Sequence, residues 1–186
     1  SHFTITRDFL CFMSRYKFRN PIASYFITIS VQQWVDLFSR PVYRHILLKN
    51  LRYCQNHKGL VIHAWVIMTN HLHLIVRSEG NHSLPLIMRD FKKHCSKELY
   101  AEIAKHPKES RRTWLLSLLK QEKGIRLWQF GNHPIELFNT QVAQQKLNYL
   151  HLNPVKAEIV EHPEEYLYSS ARDYVGKPGL LEVEMI

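Results

Sequence analysis

Cysteine is scarce in this 186-residue chain: Cys11, Cys54 and Cys95 are odd in number, scattered, and form no Cys-x-x-Cys pair. That excludes a disulfide framework and reads as free thiols in a reducing compartment, each a small buried hydrophobe. No secretory signal is evident, so the expected location is the cytoplasm, there associated with the bacterial nucleoid. No apolar run approaches the ~20 residues that span a bilayer, which speaks against a membrane protein. The six glycines form no phosphate-binding loop, so nothing calls for a nucleotide cofactor. Negative charge is also in deficit, with 16 acidic residues against 25 Lys and Arg, a net charge of +9 before any of twelve histidines is counted. Such a surplus attracts polyanions, nucleic acid most commonly, although many soluble proteins are basic without a specific partner.

What is present is ordinary globular composition, 45% hydrophobic and 22% charged, which argues against disorder. The length suits one domain over residues 1–186, with embellishments. Residues 1–20 form a basic, aromatic N-terminal extension. Met13, followed by Ser-Arg-Tyr-Lys-Phe-Arg, would make a natural start and sets residues 1–12 apart. Residues 155–186 form a C-terminal tail.

The β-branched and aromatic run Tyr25 to Val31 predicts a first strand. Pro41 to His57 carries apolar residues at mixed three and four spacings, a helix ended by Lys58-Gly59. Leu60 to Met68 and His71 to Val76 predict two strands joined by Thr69-Asn70, which makes an antiparallel hairpin. A helix capped by Asn81 or Ser83 follows, to about Ile103, with Leu84, Ile87, Met88, Phe91, Cys95 and Leu99 inside. Lys108 to Lys123 is a further amphipathic piece with Trp114, Leu115, Leu118 and Leu119 inside. Ile125 to Phe130 predicts a fourth strand, and Ile135 to Leu152 a last helix. Strand, helix, strand, strand, helix, strand is the order of the ferredoxin-like split βαβ arrangement. It is an α+β fold: an antiparallel sheet of four to five strands with helices on one face, here with an extra C-terminal helix. The first and third strands occupy its middle.

Within the hairpin, His71 and His73 are two apart on a strand and point the same way, while Leu72, Leu74 and Val76 take the core face. Two imidazoles on one face suit a divalent metal; two solvated histidines on a half-exposed strand are the plain alternative. The outer face of the helix after the hairpin holds Arg89, Lys92, Lys93, His94 and Lys97, and Arg111 and Arg112 stand on the next piece. These read as phosphate contacts or simply as solvated faces. On the last helix, Tyr149 and Asn153 are four apart and share a face with Gln145, with Leu147, Leu150 and Leu152 buried. Alone, Tyr149 reads more readily as an amphipathic core tyrosine with its hydroxyl at the rim.

Together, Ala64-Trp65-Val66-Ile67-Met68-Thr69-Asn70-His71-Leu72-His73-Leu74-Ile75 and, roughly seventy residues later, Tyr149-Leu150-His151-Leu152-Asn153-Pro154-Val155-Lys156-Ala157 resemble the one-tyrosine HUH transposases. The likeness is strongest to the subgroup associated with repetitive extragenic palindromes, the REP-associated tyrosine transposases. It extends from about Tyr16 and takes in Lys58-Gly59-Leu60, Asp90-Phe91-Lys92-Lys93, Trp128-Gln129 and the run Pro163 to Ala171. The resemblance implies that His71 and His73 hold Mg²⁺ or Mn²⁺ and that Tyr149 attacks a phosphodiester of single-stranded DNA. The tyrosine would become joined to the 5′ phosphate, leaving a free 3′ hydroxyl. Asn153 is the candidate third ligand. It further implies a DNA partner bearing a hairpin or palindromic repeat, no membrane, and a monomer rather than a homodimer. A phenol with a pKa near 10 is a poor nucleophile, and a cation acting as Lewis acid and template answers that need.

The chain departs from the family pattern at Thr69, where proline is frequent, and at Glu158, where glycine is common. Pro154 also disfavours helical geometry at Asn153, which could make that residue a cap and pass the third position to Gln145. Two other readings stand beside the transposase: a replication-initiator or relaxase-like nickase with the same chemistry, and a ferredoxin-like module that binds single-stranded nucleic acid without catalysis, using exposed Trp114 or Trp128 for stacking.

Overall fold

The computed structural model describes residues 18–122, 124–131 and 133–186; most of the basic extension expected at 1–20 lies outside them. β1 (Tyr25–Ser30) leads through two short 3-10 turns to α1 (Pro41–Lys58). The hairpin β2 (Leu60–Ile67) and β3 (His71–Ser78) comes next, then α2 (Leu84–Lys105) and α3 (Arg112–Leu119). The four-stranded antiparallel sheet runs β2-β3-β1 and ends on a short strand late in the chain, Ile135–Glu136, which puts the first and third strands in the middle, as the element order predicts. α1 ends where expected, at Gly59, whose φ of 70° suits a residue without Cβ.

The alternation of β3 is what divides the sheet. Leu72, Leu74 and Val76 are fully buried on the face closed by the packed pair α1 and α2, while His71 and His73 rise from the other. Opposite them across β1 stand Ser30 and Thr28. That second face is covered by α4 (Thr140–His151), followed after Leu152 by a single turn, α5 (Asn153–Lys156).

Between α3 and α4 the structure corrects the sequence reading. Ile125 to Phe130 is not the fourth strand of the sheet. β4 (Lys120–Gln121) and β5 (Gly124–Ile125) make a two-stranded ribbon apart from it, and Trp128 contributes only an isolated bridge to Val31. The fourth strand is β6 (Ile135–Glu136), paired to Tyr25 and Phe26. The last helix therefore starts at Thr140, where Asn139 caps it by accepting from Val142 N at 2.8 Å. Helical spacing had run straight through a strand too short to show a period of two. Trp114, placed inside by pattern, is 51% exposed because only Leu115 and Leu119 of its short helix reach the core, whereas Trp128 is buried. Leu152 is also exposed, lying beyond the point where the tyrosine helix gives way to α5.

The C-terminal tail closes the β2 edge. Ile67 N donates to Tyr168 O and Trp65 N to Ser170 Oγ, each at 2.9 Å, Val66 bridges to Ser169, and Glu184 N donates to Ile62 O at 3.0 Å. On the far side of the helices a buried carboxylate, Glu109, accepts from Arg40 Nε (2.9 Å), Arg111 Nε (3.0 Å) and the Tyr43 hydroxyl (3.0 Å). The cluster ties α1 to the start of α3.

Candidate active site

The histidine face and the tyrosine helix meet. The Tyr149 ring stands edge-on to His73, centroids 5.4 Å apart, and to Phe26 at 5.9 Å. His71 and His73 are themselves 4.7 Å apart by centroid. Tyr149 is 42% exposed, so its ring packs on the site without being sealed from solvent. The strand period and the helix register explain this meeting: His73 lies at the centre of β3, and Leu147 and Leu150, buried on α4, pull Tyr149 down toward it.

Each imidazole is held by one ring nitrogen. His71 Nδ1 donates to Asn70 Oδ1 at 2.7 Å, and His73 Nδ1 lies 2.9 Å from the hydroxyl of its cross-strand partner Thr28. Such contacts fix ring orientation and favour the tautomer with a proton on Nδ1, leaving Nε2 as a lone-pair donor. Burial lowers the pKa of His71, with a hydrogen bond to the Asn153 side chain, which accepts from the protonated ring, working against it. Burial, then the charges of His71 and Lys146, bring His73 down to about 3. Both rings are therefore neutral at pH 7, the state in which an imidazole coordinates a metal.

Of the two candidates for a third donor, Asn153 is at the site, since its side chain hydrogen-bonds His71. Pro154 breaks the tyrosine helix one residue earlier than Asn153, at Leu152, and Asn153 opens the next turn; it does not cap the tyrosine helix. Gln145 is exposed. Among the described residues no group of three His, Cys, Asp or Glu could hold a metal. Two imidazoles and an amide oxygen are the side chains here that could serve as donors, a mixed N and O set whose chemistry is compatible with a divalent cation.

Two lysines not singled out by the sequence flank the tyrosine. Lys146 Nζ lies 5.8 Å from the Tyr149 ring centroid and 5.2 Å from that of Phe26, and Lys156 Nζ lies 5.3 Å from the Tyr149 ring. Trp34 is a further neighbour, 56% exposed and 6.1 Å by centroid from His71. Gln33 and Trp34 both adopt left-handed backbone, φ 53° and 56°, a conformation that costs roughly 1–3 kcal/mol in residues with a Cβ. Nothing in the local sequence marks these residues, because a helix-face lysine and a lone tryptophan carry no periodic signal.

The six basic residues expected at DNA separate into two groups. Lys93 and Lys97 are exposed and, with half-buried Lys92, line one groove along α2, and Arg89 lies a turn earlier beside Asp90. Arg111 is engaged by Glu109 and by the backbone of Asp36, and Arg112 by the carbonyl of His106. Arg111 thus belongs to the Glu109 cluster, and Arg112 is tied to the loop before α3.

A family model described as transposase, IS200-like, matches residues 23–118. Among solved structures, a REP-associated tyrosine transposase bound to a REP hairpin superposes with a TM-score of 0.57 at 19% identity, over 91% of this chain and 93% of that one. A protein of Deinococcus radiodurans R1, provisionally assigned as a transposase, gives a TM-score of 0.46 at 16% identity, over 72% and 92% of the two chains. No curated protein matches the chain by sequence.

Proposed function

The chain belongs to the IS200-like transposase family, and from that premise we propose that it cuts and rejoins single-stranded DNA at hairpin or palindromic elements through a covalent tyrosine intermediate. Tyr149 is the nucleophile. Its hydroxyl oxygen bonds to phosphorus as its proton is lost, the bond from phosphorus to the 3′ oxygen breaks, and the strand leaves with a 3′ hydroxyl while the 5′ phosphate stays on the enzyme. A second 3′ hydroxyl reverses the step, so the bond energy is conserved and no nucleotide cofactor enters.

His71, His73 and Asn153 would hold a divalent cation, Mg²⁺ or Mn²⁺, whose chemistry at that position is Lewis-acid stabilisation of charge on a phosphate oxygen. The protein's own part is orientation. Asn70 and Thr28 fix the imidazoles, Phe26 and His73 hold the tyrosine ring edge-on, and Lys146 and Lys156 bring positive charge to either the phosphate or the developing phenolate. Because the tyrosine and both histidines come from one chain, a monomer suffices.

The observation that carries the reading is the contact of Tyr149 with His73, two neutral imidazoles apart from any carboxylate cluster. The solved relative at a TM-score of 0.57 is described as bound to a REP hairpin, which favours the same class of DNA. The test is incubation with a single-stranded hairpin oligonucleotide and Mg²⁺ or Mn²⁺, followed by a denaturing gel. A covalent adduct is expected that vanishes in Tyr149→Phe and falls by orders of magnitude in His71→Ala or His73→Ala. An adduct surviving in Tyr149→Phe removes the nucleophile; binding without any adduct in the unaltered protein leaves a non-catalytic DNA-binding module.

A further inference from the structure

Along α2 runs a groove of about 620 Å³, walled on one side by Lys92, Lys93 and Lys97 and on the other by the segment from Arg126 to Gly131. The second wall is firmly set. Trp128 Nε1 donates to Lys92 O at 3.0 Å, Arg126 N to Leu119 O at 2.8 Å and Gln129 N to Ser30 O at 2.9 Å. On this fixed wall Phe130 is 81% exposed, and the Arg126 guanidinium lies 3.5 Å from its ring centroid. One face of the phenyl ring carries a cation and the ring remains open to solvent.

An exposed aromatic ring with a stacked arginine, facing exposed lysines, suits a nucleobase and the phosphates on either side of it. A duplex hides its base faces, so the chemistry selects unpaired nucleotides. The wall also leads to the active site. Trp128 bridges to Val31, Gln32 N donates to Leu127 O at 2.8 Å, and Ser30 stands opposite His71. Since neighbouring strands are spaced ~4.8 Å apart, the backbone at Trp128, bridged to Val31, lies about 10 Å from the backbone of β3. Two residues after Gln32 comes Trp34, held by Asn70 Nδ2 donating to its carbonyl at 3.2 Å and exposed beside His71.

We propose that this groove and Trp34 form one track for the unpaired nucleotides flanking a hairpin. Lys93 and Lys97 take phosphates, Phe130 and Trp34 each take a base, and the track delivers the strand to His71 and Tyr149. The proposal rests on the single-stranded DNA reading above and names how that substrate is gripped outside the reacting phosphate.

The experiment is equilibrium binding of the full chain, in EDTA, to three labelled oligonucleotides: a blunt hairpin, the same hairpin with a short run of unpaired thymidines on each side, and a thymidine oligomer alone. Phe130→Ala and Trp34→Ala should each weaken the flanked hairpin about fivefold to a hundredfold, the span of one lost base stack, and leave the blunt hairpin unchanged. Phe130→Tyr and Trp34→Phe should restore binding. Both positions are exposed, and circular dichroism confirms the fold of each variant. Unchanged affinity of Phe130→Ala for the flanked hairpin overturns the track, as does equal weakening of flanked and blunt forms. If the unaltered protein binds no hairpin, the hairpin reading fails separately, and the track is then judged on the thymidine oligomer: binding lost in Phe130→Ala sustains it, and absence of binding overturns it.

Discussion

Tyr149 and His73 meet edge-on, 5.4 Å between ring centroids, although 76 positions separate them in the chain. If the proposed site is used as it is assembled within one chain, a partner copy does not repair it. Mixing Tyr149→Phe with His73→Ala should therefore give no more covalent adduct than either variant alone, read on the denaturing gel. Restored adduct formation would mean that copies exchange their tyrosine helices.

Thr28 and Asn70 each hold an imidazole by Nδ1, and partners of that kind typically contribute ten- to a hundredfold to metal affinity. Thr28→Val, nearly the same shape without the hydroxyl, should weaken Mn²⁺ binding by about that factor in calorimetry and leave the melting temperature in EDTA little changed. Undiminished affinity would assign the Thr28 contact to sheet packing alone.

Glu109 contributes to the pH dependence of stability. Burial raises its pKa, but hydrogen bonds from Arg111, Tyr43 and Arg40 outweigh that and hold the carboxyl at about 2. Its folded value lies below its unfolded one, so the stabilisation is complete above about pH 4.5 and is lost as pH falls toward 2, on the order of 3 kcal/mol. In Glu109→Gln, denaturant midpoints should be lower at pH 7 and should fall less steeply between pH 5 and 3 (roughly the unfolded carboxylate range) than in the unaltered protein. Parallel curves would place the acid sensitivity elsewhere.

Gly59 ends α1 with φ 70°, and a Cβ there would lie 1.7 Å from Glu79 O. The left-handed backbone alone costs an alanine about 1–2 kcal/mol, and the carbonyl must also move. Gly59→Ala should lower thermal stability by at least that much, and Glu79→Ala should not rescue it, because the obstacle is backbone.

How much of this was legible in the sequence follows from where the chain repeats itself. The hairpin of β2 and β3, the central place of β3 and the shared face of His71 and His73 all follow from a period of two bounded by Gly59 and Thr69-Asn70. The likeness of Tyr149 to Pro154 to a known motif then supplied a partner for the histidines that spacing alone could not. The stretch from Lys120 to Asn139 was misread because strands of two residues have no period, and helical spacing extends across them by default. Arg111 looked like a free cation because a pairing with Glu109, two residues away, depends on a loop conformation. Thr28 and Trp34 were invisible for the opposite reason: their partners are 45 and 37 positions away, and neither residue type signals the contact.

The tail laid against β2 has a consequence for assembly. Between Ile62 and Ile67, amides and carbonyls that would face outward from the sheet are bonded to Tyr168, Ser170 and Glu184, and the opposite border is the two-residue β6. Among the described residues, neither margin offers the long row of unpaired backbone groups through which sheets recruit foreign strands. Copies of this protein brought close together would then meet through side chains, and crowding them does not extend the sheet from one molecule to the next.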